Sequence, residues 1–144
     1  MKLQLDIDSM TDDFFSDTRL LGIMAPIKDY SFCWQLNSLL GYNFRLNTDV
    51  EIQIRKKTRS YYFSVYQYIE PHSNLTHFLY VNQNDGEYLL PDFKHMDFLW
   101  LMKYDLVDDT KVLGITSSIK SINRVQLVAE LTNEKIRSRE RLIF

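Results

Sequence analysis

MDFLWLMKY, residues 96–104, is apolar on both of the faces that a β-strand presents: Met96, Phe98, Trp100, Met102 and Tyr104 share one parity, Leu99 and Leu101 the other. Successive side chains of a strand point to opposite faces, so a strand with one side in water alternates between apolar and polar residues. A strand buried on both sides does not. The stretch therefore predicts a strand in the middle of its sheet, and Asp97 enters that core as a polar group in need of a partner.

Outward from this strand the pattern is readable on both sides. Asp108, Asp109 and Thr110 can cap a helix whose Val112, Ile115, Ile119 and Ile122 recur at helical spacing, and 123–131 returns to a strand with Val125, Leu127, Ala129 and Leu131 on one face. Strand, helix and strand together have the size of a βαβ crossover, right-handed if the strands are parallel. Before it, Asn84-Asp85-Gly86 signals a tight hairpin, because these residues tolerate positive φ.

Residues 75–83 and 60–69 read as further strands, the second with Tyr61, Phe63, Val65 and Ile69 on one side and Tyr62, Tyr66 and Tyr68 on the other. Val50, Ile52 and Ile54 form another alternating set. The N-terminal half offers a second strand–helix–strand unit over 19–54. Residues 19–24 form its strand, which Ala25-Pro26 ends, and a helix follows from Asp29, with Phe32, Leu36, Leu39 and Leu40 on one face and Gly41 at its close. Leu3, Leu5 and Ile7 alternate and suggest a short first strand.

These elements predict an α+β fold: a mixed, mainly antiparallel sheet with two main helices on one face and a C-terminal strand–helix–strand unit. With 144 residues, 45% hydrophobic and 14% aromatic, the chain reads as one domain over 1–144. Residues 1–17 form an acidic segment and 132–144 a basic tail, either solvated or paired with each other.

A net charge of −2 supplies no global attraction for nucleic acid or an anionic membrane. The longest apolar run, Phe98 to Met102, is far short of the roughly 20 residues a membrane helix needs. MKLQLDIDSMTDDFFSD turns acidic where a secretory signal would be apolar, and the single Cys33 makes no internal disulfide. The Asn74-Leu75-Thr76 sequon would matter only in a secreted protein. A cytoplasmic protein without membrane contact is the expectation.

Little in the sequence points to chemistry. His72, His77 and His95 lack the spacing of metal ligands on a helix, and no phosphate-binding glycine loop occurs, so neither metal nor cofactor is expected. Cys33 lies among Phe32, Trp34 and Leu36 and reads as core. Asp92, His95 and Asp97 could form a small acid–base site, but their spacing selects no catalytic geometry and no catalytic residue is assigned. Arg55, Lys56, Lys57 and Arg59, followed by Tyr62, Tyr66 and Tyr68, have the composition of a single-strand nucleic-acid binder, against which the acidic balance weighs.

Leu90-Pro91-Asp92-Phe93-Lys94-His95-Met96-Asp97-Phe98 resembles the signature of the IPExxxVDY family, small proteins of Bacteroidota without an assigned function. Pro91 and Asp97 match outright; Leu90, Asp92, Met96 and Phe98 stand where the pattern has Ile, Glu, Val and Tyr. Phe98 lacks the hydroxyl of the family's Tyr and Asp92 is one methylene shorter than Glu, departures that suit a structural motif better than a catalytic one. The resemblance transfers no site residues. The expected function is a non-enzymatic binding domain that self-associates through an aromatic sheet face or an edge strand, or binds another protein partner.

Overall fold

The computed structural model describes residues 2–132 and 136–144, the side chains of 2–7 excepted. In chain order the elements are α1 (Lys2–Phe15), β1 (Arg19–Met24), α2 (Asp29–Leu40), β2 (Arg45–Leu46), β3 (Ile52–Lys56), β4 (Arg59–Phe63) and β5 (Val65–Ile69). They continue with β6 (Thr76–Val81), β7 (Gln83–Asn84), β8 (Glu87–Tyr88), β9 (Phe98–Lys103), α3 (Asp109–Lys120) and β10 (Leu127–Leu131).

Six strands form one sheet in the order β10-β1-β9-β6-β5-β2, and each neighbouring pair is antiparallel. β9 lies inside this sheet between β1 and β6, and all six of its residues are buried, as its double apolar parity requires. β9 and β10 both run antiparallel to β1, which lies between them. They are therefore parallel to each other at one remove, joined by α3 as a crossover. Arg19 fastens this unit: its guanidinium donates to both Glu130 carboxylate oxygens at 2.8 Å and to Asp109 Oδ1 at 2.7 Å.

Two apolar layers flank the sheet. Phe32, Cys33 and Leu36 of α2 and Val112, Ile115 and Ile119 of α3 pack on Leu21, Ile23, Trp100 and Met102, so both helices cover one face. On the other face Phe15 of α1, Ile52, Ile54 and Phe63 of the β3–β4 hairpin, and Leu142 pack with Phe78, Tyr80, Leu99 and Leu101. Gly22 is required by close packing: a Cβ there would stand 3.0 Å from the Met96 side chain. Asp108 caps α3 by accepting from the Lys111 amide at 2.8 Å, and Gly41 closes α2 at φ 69°.

Several local expectations are corrected. The backbone of residues 2–15 is helical, and Thr11 and Phe15, four apart, give that helix its buried face. The 60–69 segment breaks at Ser64, so that β4 pairs with β3 in a separate hairpin while β5 joins the main sheet. β3 thus belongs to that hairpin, and α2 leads instead to β2 at the far edge of the main sheet. Leu39 is 46% exposed, and in β10 Val128 rather than Leu127 is buried. The two ends meet where Arg139 donates to Asp12 at 2.6 Å. No helix among the described residues is long and apolar enough to cross a membrane.

Candidate functional site

The stretch around Pro91 is built on a buried asparagine. Asn82, with no exposed surface, follows β6 and donates through Nδ2 to the carbonyls of Phe93 at 3.0 Å and Met96 at 2.8 Å. Its Oδ1 accepts from the Leu90 amide at 2.8 Å. Its backbone donates to the Asp97 carbonyl at 3.0 Å and accepts from the Leu89 amide at 2.7 Å. Inside this clasp Pro91–Phe93 makes one 3₁₀ turn, to which Pro91 contributes its fixed φ. A single side chain thus bonds three backbone groups, two of which, the Leu90 amide and the Met96 carbonyl, a buried loop would otherwise leave unpaired, while the Phe93 carbonyl also accepts from the Met96 amide at 2.9 Å.

Asp97 joins the clasp to β1. Its amide donates to the Ile23 carbonyl at 2.8 Å, and its Oδ2 accepts from the Ala25 amide at 2.7 Å, just where Pro26 ends the strand ladder. Phe98 stacks on Phe32 with ring centroids 4.5 Å apart. Asp92 stands at the surface 4.0 Å from the Arg137 guanidinium, and His95 is exposed. Among the described residues no hydrogen bond or ion pair joins Asp92, His95 and Asp97.

Beside Asp97 lies a cleft of about 370 Å³ lined by Lys28, Asp29, Tyr62, Ser64, Asn84 and Asp97, among others. Its two carboxylates already serve the fold, for Asp29 accepts from the Tyr66 hydroxyl at 2.7 Å while Asp97 holds Ala25. Burial, with the Asp29 bond second, raises the Tyr66 pKa and keeps that hydroxyl a donor.

The histidine with the richest surroundings is His77, which is fully buried. Trp100 Nε1 donates to its Nδ1 at 2.9 Å; an indole only donates, so Nδ1 carries the lone pair and the Nε2 proton goes to Glu70 Oε2 at 2.8 Å. Lys111 Nζ from α3 donates to the other Glu70 oxygen at 2.7 Å. Burial lowers the His77 pKa and outweighs the pull of Glu70, so the ring is neutral. Burial alone would raise Glu70, but its bonds to Lys111 and His77 bring it below the usual range. The array is complete without a ligand, and no group of metal-binding side chains occurs among the described residues.

The nucleic-acid reading loses its aromatic platform. Tyr66 is buried, and Tyr68 is half-buried and stacked on Tyr42 at 4.6 Å, because β5 turns that parity toward the helix layer. Lys56 pairs with Glu87 at 2.8 Å; Arg59 pairs with Asp85 and lies 5.0 Å over the Tyr61 ring. Arg55, Lys57 and Tyr62 remain exposed on the hairpin. Cys33 is buried, and burial pushes its thiol up to about 12, as a core residue.

The surface that sequence reasoning missed is the outer side of the helix layer. Tyr30 and Trp34, one turn apart on α2, are 68% and 69% exposed, and Leu113 of α3 is also exposed. Between Tyr30 and Leu40, and again between Val112 and Ile119, the chain contains no charged residue. Surface helices ordinarily put charges on their water side, so this uncharged outer face was a signal available in the sequence. No protein-family model matches the chain, and no curated protein matches it.

Proposed function

We propose that the protein is a non-enzymatic binding domain that docks a second copy of itself through the outer faces of α2 and α3. The observation that carries this reading is Trp34, 69% exposed and one turn from Tyr30 on a face without charge. Trp and Tyr dominate the energetics of protein interfaces when they become buried, and an uncharged face gives up little hydration on docking.

A second copy suits this face for an electrostatic reason. A two-fold contact sets a patch against itself, so any charge near its axis would meet its like. The expected aromatic sheet face is covered on both sides; of the two edge strands, β2 is only two residues long and β10 carries Glu130, held by Arg19. That leaves the helix layer as the better docking surface. Membership of the IPExxxVDY family, on residues 90–98, and a cytoplasmic setting belong to the same proposal.

Size-exclusion chromatography with light scattering tests it. At tens of micromolar the expected mass is a dimer or larger, and Trp34→Glu gives a monomer with an unchanged far-UV spectrum. A wild-type monomer at those concentrations removes self-association and leaves an unrelated protein as the occupant to seek.

A further inference from the structure

On the sheet face opposite α2 and α3, Lys103 at the end of β9 is the one buried lysine or arginine among the described residues, with 8% of its surface exposed. Its Nζ donates to the Phe14 carbonyl in the last turn of α1 and lies 4.3 Å from the Phe14 ring centroid and 4.9 Å from that of Tyr104. No carboxylate among the described residues lies within ion-pair distance of it. One carbonyl and two ring faces are weak compensation for a desolvated ammonium. Burial accordingly lowers the Lys103 pKa and favours the free amine.

Lys103 also lines a cleft of about 350 Å³ with Ser16, Asp17, Tyr104, Asp105 and Leu106. That volume is within the range of small-molecule sites. Tyr104 holds φ at 77° and Asp17 at 57°. A left-handed aromatic residue is a backbone outlier, and such strain gathers at functional sites. The cleft therefore combines a desolvated amine, two carboxylates, and a strained wall.

We infer that Lys103 is a carbonyl-reactive amine and that this cleft takes a small, polar, uncharged aldehyde or ketone. Asp17 and Asp105 disfavour an anionic ligand, while Ser16 and the Tyr104 hydroxyl suit a polar one. The Lys103 lone pair attacks the carbonyl carbon, forming the C–N bond as the C=O π pair moves to oxygen. A cleft carboxylate carries a proton from nitrogen to that oxygen. The hydroxyl then leaves as water with a second proton while the nitrogen pair forms C=N, so amine and carbonyl give imine and water without an oxidant. This activity is additional to docking through the helix layer and does not depend on it.

The test is reductive trapping of the native full chain with glycolaldehyde and cyanoborohydride at neutral pH, with early time points mapped by peptide mass spectrometry. Lys103 should be modified measurably faster than the exposed Lys57 and Lys94, because the unprotonated amine is the nucleophile. Lys103→Arg keeps the cation on the Phe14 carbonyl and forms no imine; it should retain the native circular dichroism and lose the fast phase. Modification of Lys103 no faster than of the exposed lysines, or a fast phase that survives Lys103→Arg, overturns the inference.

Discussion

Replacing Asn82 by alanine deletes a side chain with no exposed surface that holds the Leu90 amide and the Phe93 and Met96 carbonyls. A buried backbone group left unpaired costs about 1–3 kcal/mol, and two are left so, because the Phe93 carbonyl keeps the Met96 amide. Partial access of water to the relaxed loop keeps the sum near the lower end, so the expected loss is about 2–4 kcal/mol. Against a typical total of about 5–15 kcal/mol this is a large fraction, and it corresponds to a fall in Tm on the order of 10 °C or more. Urea unfolding followed by circular dichroism measures it. Asn82→Asp sharpens the test, since its carboxylate would face two carbonyls and should destabilise more at neutral pH than under acidic conditions that protonate it. A loss below about 1 kcal/mol for Asn82→Ala would refute the reasoning that one asparagine clasps the loop.

The remaining predictions concern the cores. His77 is held neutral by burial, with its folded pKa below the ordinary imidazole value of 6.5, so the unfolded chain binds the proton better. Its contribution is full above that value and is lost as pH falls; the wild-type urea midpoint should drop as the pH falls below 6.5, with Glu70 adding to the fall at lower pH. Cys33, its thiol raised to about 12 by burial, should resist a disulfide reagent in the native state and react within minutes in urea. Gly22→Ala places a methyl 3.0 Å from Met96 and should cost about 1–3 kcal/mol in urea titrations, an effect that Met96→Ala partly relieves.

Where a residue's own pattern determined its environment, the sequence was readable. The double parity of 98–103 identified the inner strand, Asn84-Asp85-Gly86 the β7–β8 turn with Asp85 and Gly86 at positive φ, and Asp108 and Gly41 the helix ends. Alternation in 60–69 told faces apart but could not tell sheets apart, because a period of two is the same whether a strand continues or changes partners at Ser64. The three alternating residues near the N-terminus were too few to outweigh the helical spacing of Thr11 and Phe15. Asn82 was invisible because its role rests on three backbone groups 8 to 14 residues away in sequence. Asp97 was recognised as needing a partner, and the amide of Ala25 supplies it. The helix layer was read from its buried side alone, so its missing charges went unweighed.

The account's central claim is that the outer face of α2 and α3 is a docking surface for a second copy, and Trp34 reports on it directly. The chain has two tryptophans, and Trp100 has no exposed surface, so collisional quenching by acrylamide reads Trp34. Quenching measured from sub-micromolar to tens of micromolar protein should start high and fall as the face becomes covered, with Trp34→Phe removing the quenchable signal. Quenching of Trp34 that stays constant across that range would contradict the account.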